Sequence, residues 1–129
     1  MTEKEIDYYR LNIFKTKLKK LLKRFPSLED DLEIAKRNVI ELYHINHING
    51  IENDSLFPIK GCCNEQFDIC KIKKFSCKSL KGTGAYSGIR VIYAIDKNKM
   101  EVTFLEIYFK GDQKSEDKKI INDFLKKYS

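Results

Sequence analysis

The order of hydrophobic and polar positions predicts alternating helical and extended segments along the chain. Apolar and polar residues alternate over residues 8–14, which is typical of a β-strand. From Phe14 to Phe25 the apolar residues recur at helical spacing, with lysines on the other positions, and Pro26 ends the predicted helix. The first part of the chain is therefore predicted to be a strand followed by a basic amphipathic helix.

A second helix is predicted to begin at Ser27, with Asp30 completing a weak capping box. Its apolar stripe consists of Leu28, Leu32, Ala35, Val39 and Leu42. Because a short Pro-Ser turn joins the two helices, they are expected to pack as an antiparallel pair. Residues 44–66 are rich in Asn, Gly and Asp and show no period, which predicts a long loop that is either functional or partly structured.

Three strands are predicted over residues 67–77, 88–96 and 101–110. The polar connection 97–100 makes the last two an antiparallel hairpin. Residues 115–117 cap a final helix with apolar residues Ile120, Ile121, Phe124 and Leu125. The expected fold class is α+β, in one domain over 1–129: a strand, a two-helix hairpin, an antiparallel sheet of about four strands and a C-terminal helix.

The alternation of side chains assigns residues of the hairpin to the two faces of the sheet. One face of strand 88–96 carries Ile89, Val91, Tyr93 and Ile95, and the other carries Arg90, Ile92 and Ala94. Strand 101–110 is predicted to carry Glu106, Tyr108 and Lys110 on one face, and Thr103, Leu105, Ile107 and Phe109 on the other. If helices cover the apolar faces, Arg90, Tyr108 and Lys110 point together toward the open side of the sheet.

Composition excludes a membrane-spanning protein and argues against a metalloprotein. Charged residues make up 34% of the 129 residues, and no apolar run reaches the roughly 20 residues of a spanning helix. The N-terminal residues 1–5 lack the apolar stretch of a secretion signal, so a cytoplasmic location is expected. The four cysteines, which lack paired Cys-x-x-Cys spacing, are Cys62, Cys63, Cys70 and Cys77. Even with His44 and His47 on one helix face, no metal and no cofactor are expected.

The distribution of charge points to a polyanionic partner. Lys and Arg number 25 against 19 acids, for a net charge of +6. Segments 15–24 and 71–90 each contain several cations and no acid, which favours phosphate binding, although a merely soluble surface is the alternative. The candidate RNA-binding residues are Lys15, Lys19, Lys71, Lys73, Lys74 and, as a stacking platform, Tyr86.

The segment from Lys78 to Arg90 contains glycines, lysines and a terminal arginine. Glycines let backbone amides approach phosphate oxygens, and the basic side chains supply charge. A flexible basic hairpin loop is the structural alternative. The spacing differs from that of a Walker loop.

The stretch SLKGTGAYSGIRVIYAIDKNKMEVTFLEIYFKGDQKSED resembles the C-terminal half of the RelE/ParE superfamily of bacterial toxins. The similar features are a Lys-Gly-x-Gly loop, the segment Ser-Gly-Ile-Arg-Val-Ile-Tyr, and an apolar strand that ends in Tyr-x-Lys. The resemblance covers most of the chain except residues 44–66. It implies a RelE-like fold, and an mRNA endonuclease that acts at the ribosome and is silenced by a cognate antitoxin.

The resemblance also implies the catalytic residues. Arg90 matches the arginine of the central strand, Lys78 and Lys81 match upstream lysines in role, and Tyr108 and Lys110 lie near the C-terminal groups. Arg90 is suited to bind the phosphate, and Lys81 is the first choice for the base that takes the 2′-OH proton. The chain departs from the family pattern because it has no Arg or His after Arg90.

Three functions therefore remain open: an mRNA interferase, a ParE-like protein that poisons DNA gyrase without catalysis, and a non-toxic nucleic-acid-binding protein. The resemblance further implies a toxin-antitoxin hetero-oligomer. The antitoxin is expected to be acidic and partly disordered until it lays a helix or strand across the basic surface.

Overall fold

The computed structural model describes residues 5–46, 55–84 and 86–128. Most of the N-terminal segment 1–5 lies outside these ranges. So do His47 and residues 48–54 of the predicted loop.

The described chain forms a five-stranded mixed sheet with helices on both faces. The elements are β1 (Asp7–Arg10), α1 (Asn12–Leu22), α2 (Leu28–Ala35), a π-helical turn (Lys36–Ile40), α3 (Glu41–His44), β2 (Leu56–Pro58), β3 (Phe67–Ile72), β4 (Ile89–Asp96), β5 (Glu101–Phe109) and α4 (Lys118–Tyr128). The strand order is β1-β5-β4-β3-β2, with β1 parallel to β5 and the other pairs antiparallel. The prediction of an α+β fold with an antiparallel hairpin and a C-terminal helix is confirmed.

The β4–β5 hairpin is closed by a polar turn, as predicted. The Asp96 carboxylate accepts hydrogen bonds from the backbone amides of Asn98 at 3.0 Å and Lys99 at 3.1 Å. Met100 adopts a positive φ of 55°, which lets the chain reverse direction before β5. Because the turn sets the register, it also decides which residues of the two strands lie opposite each other.

Each face of the sheet packs against its own hydrophobic core. The helix-pair core lies between the sheet and helices α1 and α2, and includes Phe14, Leu18, Leu32, Ile89, Val91, Tyr93, Ile95 and Phe104. The α4 core lies on the opposite face and includes Phe67, Ile69, Ile92, Ala94, Leu105, Tyr108, Ile121 and Phe124. The predicted division of β4 into two faces is therefore confirmed.

The predicted faces of β5 are wrong over its first half because the strand contains a β-bulge. The register shifts between Ile92 and Tyr93, which pair with Glu106 and Phe104 and leave Leu105 as the extra residue. Leu105 consequently packs in the α4 core, whereas Ile107 packs in the helix-pair core. An inserted residue reverses the alternation on one side of it, which a strict period of two cannot anticipate.

The predicted first strand is too long. The strand ends at Arg10 and α1 begins at Asn12, with Leu11 still extended at φ −68° and ψ 153°. Ile13, predicted to lie on a strand, is on an exposed part of the helix. Three alternating residues are too few to separate a strand end from a helix start.

The predicted second helix differs in its cap and in its last turn. The Ser27 side chain makes no capping bond and instead donates to Asp31 Oδ2 at 2.7 Å, so the capping box with Asp30 is wrong. The π-helical turn inserts an extra residue into the helical period, which buries Ile40 in place of Val39. The stripe is correct as far as Ala35 and shifted beyond it.

The segment 44–66, predicted to be either functional or partly structured, is partly structured, because Leu56–Pro58 forms the edge strand β2, where a proline is tolerated. The next predicted strand is shorter than expected. β3 ends at Ile72 rather than at residue 77, and a bridge between Phe75 and Tyr86 follows it. None of the helices within the described ranges is both long and apolar enough to span a membrane.

Candidate nucleic-acid site

Four polar residues lie on one side of the sheet, near the start of α4, and we call them the sheet site: Lys71, Arg90, Tyr108 and Glu116. Arg90 and Tyr108 are directly opposite each other on β4 and β5. Lys71 lies opposite Ile92, so it projects from the same face as Arg90. Glu116 comes from the loop before α4. The sequence left the face of Lys71 unassigned, and the register of β3 now places it beside Arg90.

Arg90 presents a guanidinium that is half-exposed and weakly held. Its described hydrogen bond is a long one of 3.5 Å, from Nη1 to the carbonyl of Ile89. Within the described ranges, no carboxylate lies at ion-pair distance from it. A guanidinium with free donors can bind a phosphate through two oxygens at once.

Tyr108 contributes a hydroxyl rather than an exposed ring. The residue is only 3% exposed, so its ring has no open face on which a base could stack. Its buried hydroxyl makes no hydrogen bond of ordinary geometry in the described part of the chain, and the Lys71 ammonium lies close enough to interact with it. Burial raises the pKa of this hydroxyl, and the nearby Lys71 ammonium opposes the increase only in part. The hydroxyl is therefore protonated at neutral pH and able to donate.

Lys71 and Glu116 form a half-covered ion pair next to Tyr108. Lys71 Nζ lies 2.8 Å from Glu116 Oε1, and their side chains are 16% and 12% exposed. The same ammonium lies 5.9 Å from the centroid of the Tyr108 ring. A second cation, Lys118, lies 3.8 Å from Glu116 Oε2.

The loop that carries Glu116 is anchored by the buried carboxylate of Glu106. Glu106 is 1% exposed and accepts hydrogen bonds from Lys17 Nζ at 2.9 Å, Gln113 Nε2 at 2.8 Å and the Asp117 amide at 2.8 Å. These bonds connect α1, β5 and the start of α4. Glu106 therefore fixes the backbone on both sides of Glu116.

Lys78 and Lys81 lie in a loop that packs on the other layer of the molecule. The Lys78 amide donates to the buried carboxylate of Asp31, and the Ser79 amide donates to Ser27 Oγ at 2.8 Å. Leu80 packs against the helix-pair core. The loop is thus attached to the start of α2, and no described contact joins its two lysines to Arg90.

Tyr86 and Lys74 form a separate corner before β4. Tyr86 is 77% exposed, and Lys74 Nζ lies 6.0 Å from the centroid of its ring. The hydroxyl of Ser87 donates to the Phe75 carbonyl, which holds this corner against the end of β3. Tyr86 has the open ring face that base stacking requires.

The remaining predicted residues are exposed at different places. Lys15 and Lys19 lie on α1, which covers the face of the sheet opposite to Arg90. Lys110 follows β5, where its amide donates to the Gly88 carbonyl at 2.8 Å, so it adjoins the start of β4. Lys73 is half-buried directly after β3. The basic residues therefore do not form one continuous face.

Segments that contain no acidic residue along the sequence form ion pairs with acidic residues from other parts of the folded chain. Lys17 pairs with Glu106, Arg24 with Asp112, and Lys71 with Glu116. Sequence reasoning missed Glu106 and Glu116 as site residues. A sequence signal did exist for Glu106, because an acid within an otherwise apolar strand requires a partner when it is buried.

The cysteines and His44 take part in ordinary packing contacts. All four cysteines are free thiols, and His44 Nε2 lies 2.7 Å from the Tyr93 hydroxyl. Within residues 5–46, 55–84 and 86–128, no three His, Cys, Asp or Glu side chains come together in a way that could hold a metal ion.

The Lys71–Glu116 pair makes stability depend on pH. Burial acts to raise the pKa of the Glu116 carboxyl, but the ion pair with Lys71, the Glu116 backbone amide and the charge of Lys118 together outweigh burial and hold the pKa below the ordinary 4.5. A carboxyl with a lowered folded-state pKa contributes stability above its unfolded pKa, and this contribution is lost as the pH falls through the folded pKa. We expect urea unfolding to show a larger loss of unfolding free energy between about pH 6 and about pH 3 for the wild type than for Glu116→Gln. Equal losses would contradict this expectation.

Comparisons with known proteins find similarity to a solved structure but to no protein family. No protein-family model matches the sequence, and no curated protein matches it. Among solved structures, the chain is similar to one described as the crystal structure of the archaeal RelE-RelB complex from Pyrococcus horikoshii OT3. The identity is 11% and the TM-score is 0.49, and the match covers 82% of this chain and 96% of that chain.

Proposed function

We propose that this chain is the toxin of a type II toxin-antitoxin pair, and that it cleaves mRNA at the ribosome. The observation that carries the proposal is the pairing of Arg90 with Tyr108 on adjacent strands. Within the described ranges, the Arg90 guanidinium has no carboxylate partner and the Tyr108 hydroxyl makes no hydrogen bond of ordinary geometry, and both residues lie on the same face. The resemblance of the surrounding segment to RelE-type toxins supports the same interpretation.

The residue types are suited to RNA cleavage by the 2′-OH of the substrate. A base removes the 2′-OH proton, the oxygen attacks phosphorus, and the bond from phosphorus to the 5′-oxygen breaks as that oxygen gains a proton. Arg90 would stabilise the negative charge that develops on the phosphoryl oxygens. The Tyr108 hydroxyl, whose pKa is raised by burial, would donate the proton to the leaving oxygen.

Lysines would supply the base and the binding charge. Lys81 is the proposed base, which requires the loop that carries it to close on the RNA that lies against Arg90. Lys71 would contact the phosphate from the same face as Arg90, with Lys110 at the adjoining strand end. Lys73, Lys74 and Lys78 would contact neighbouring phosphates, and the exposed Tyr86 ring would stack on a base.

The cognate antitoxin would be an acidic protein that covers this basic surface. Lys15 and Lys19 are exposed on α1, and Lys78 and Lys81 are exposed in their loop. These lysines offer a cationic path over the helix-pair layer on which an extended acidic segment could order as it binds. Because Lys15 and Lys19 lie on the face of the sheet opposite to Arg90, these two are better suited to the antitoxin and to ribosomal RNA than to the scissile phosphate.

Ribosome-dependent cleavage of a defined message tests the proposal directly. The purified chain is mixed with the message in the presence and absence of ribosomes, and new 5′ ends are mapped by primer extension. We expect cut ends only when ribosomes are present. Inhibition of DNA gyrase supercoiling without cut ends would support the ParE-like function instead, and salt-sensitive RNA binding without either effect would support a non-toxic binding protein.

A further inference from the structure

The Glu116 carboxylate occupies an anion position between cations on the sheet face. Its two oxygens lie 2.8 Å from Lys71 Nζ and 3.8 Å from Lys118 Nζ. The Lys71 and Glu116 side chains are 16% and 12% exposed, so the pair lies in a recess rather than on open surface. Paired ammonium groups around one carboxylate form the environment that also binds phosphate oxygens.

The recess has more hydrogen-bonding capacity than Glu116 uses. The hydroxyl of Tyr108 lies buried close to Lys71 and makes no hydrogen bond of ordinary geometry within the described ranges, and such a group costs free energy until it is fully satisfied. Arg90, directly opposite Tyr108, has no carboxylate partner within the described ranges. A single carboxylate has only two oxygens, and both of Glu116 face ammonium groups.

We propose that the Glu116 carboxylate marks the phosphate subsite of the sheet site, and that a backbone phosphate of bound nucleic acid displaces it from Lys71. The inference rests on the proposed function for the identity of the ligand. A phosphodiester is tetrahedral and offers oxygens in several directions, so it can contact Lys71, Tyr108 and Arg90 together. Glu116 is thus a built-in competitor that keeps the recess filled in the free protein.

Displacement requires only a side-chain movement. The Asp117 amide is held by Glu106 and Gln113 is held by the same carboxylate, so the backbone around Glu116 stays in place. Once released, the carboxylate can still pair with Lys118, which is 58% exposed. Because the phosphate takes the place of the carboxylate beside Lys71, the ammonium remains paired with an anion throughout the exchange.

A matched pair of variants isolates the competition. Glu116→Gln retains the shape of the side chain and removes its charge. Asp123→Asn makes the same change at an exposed position on α4, so both variants raise the net charge equally. Any increase in phosphate affinity that comes only from the higher net charge is therefore the same in the two variants. The difference between their phosphate affinities measures the effect of removing the carboxylate next to Lys71.

Titration with inorganic phosphate, followed by NMR signals of the Arg90 and Tyr108 side chains, tests the inference without RNA. We expect Glu116→Gln to bind phosphate about fivefold more tightly than Asp123→Asn, as removal of one competing charge at short range implies. Adding Lys71→Met to Glu116→Gln should remove this gain. Equal affinities of Glu116→Gln and Asp123→Asn, or shifts confined to surface lysines, would overturn the inference.

The phosphate titration and the cleavage assay can fail independently of each other. Tighter phosphate binding by Glu116→Gln without any ribosome-dependent cleavage by the wild type would leave the anion subsite in place and refute the endonuclease. Cleavage by the wild type with equal phosphate affinities in the two variants would refute the subsite and leave the endonuclease in place.

Discussion

Replacement of Arg90 by Ala should reduce ribosome-dependent cleavage by about a hundredfold or more, and should abolish growth inhibition. Among the groups of the sheet site, the guanidinium is best suited to stabilise the negative charge that develops on the phosphoryl oxygens in the transition state. Within the described ranges, no carboxylate occupies its donors. Because its described hydrogen bond is long, the substitution should change the unfolding free energy by less than about 1 kcal/mol. The loss would therefore be functional rather than structural.

Two further variants sharpen the Arg90 experiment. Arg90→Lys keeps the charge but loses the planar pair of donors, so we expect activity between those of Arg90→Ala and the wild type. Arg37→Ala removes an exposed arginine from the π-helical turn and should leave cleavage unchanged. Cleavage rates, growth curves and thermal unfolding by circular dichroism provide the measurements. If Arg90→Ala remains as toxic as Arg37→Ala, the assignment of the site fails.

Replacement of Glu106 by Ala should destabilise the protein by about 3 kcal/mol. The substitution leaves Lys17, Gln113 and the Asp117 amide without their common acceptor in an environment where Glu106 itself is 1% exposed. For a chain of 129 residues, this corresponds to a decrease in Tm of about 10 °C. The start of α4 should be the first region to lose protection in hydrogen exchange.

Glu65→Ala is the matched control for Glu106. Glu65 is an exposed glutamate, so its removal should change the unfolding free energy by less than about 0.5 kcal/mol. Glu106→Gln keeps the shape and one acceptor oxygen, and we expect an intermediate loss. Urea unfolding at neutral pH measures all three. If Glu106→Ala and Glu65→Ala unfold alike, Glu106 does not anchor the loop before α4.

Local periodicity predicted the parts of the fold that depend on neighbouring residues. The β4–β5 hairpin, the faces of β4 and the cap of α4 were correct, and the Lys119 amide does donate to Asp117 Oδ1 at 2.9 Å. The register next to the turn, which pairs Asp96 with Glu101, would place Arg90 opposite Ile107, and the bulge at Leu105 shifts it so that Arg90 lies opposite Tyr108. The sequence predicted only that Arg90 and Tyr108 lie on the same face of the sheet.

Predictions from local periodicity failed at two irregular elements. A bulge at Leu105 and a π-helical turn at residues 36–40 each insert one residue into a regular period, and each changed which side chains are buried. Packing between elements determines where such insertions occur. Ile40, for example, packs in the helix-pair core. A period measured along one segment contains no information about the surface against which that segment packs.

The sequence by itself determined the class of fold, the basic character of the chain and the two faces of β4. Only the tertiary structure decided which charges are available. Lys71 meets Glu116 across 45 residues of sequence, and Lys17 meets Glu106 across 89. Stretches that contain no acid along the chain are thereby partly neutralised in space. The physical reason is that the energy of an ion pair depends on distance and burial in the folded molecule, neither of which is set by position along the chain.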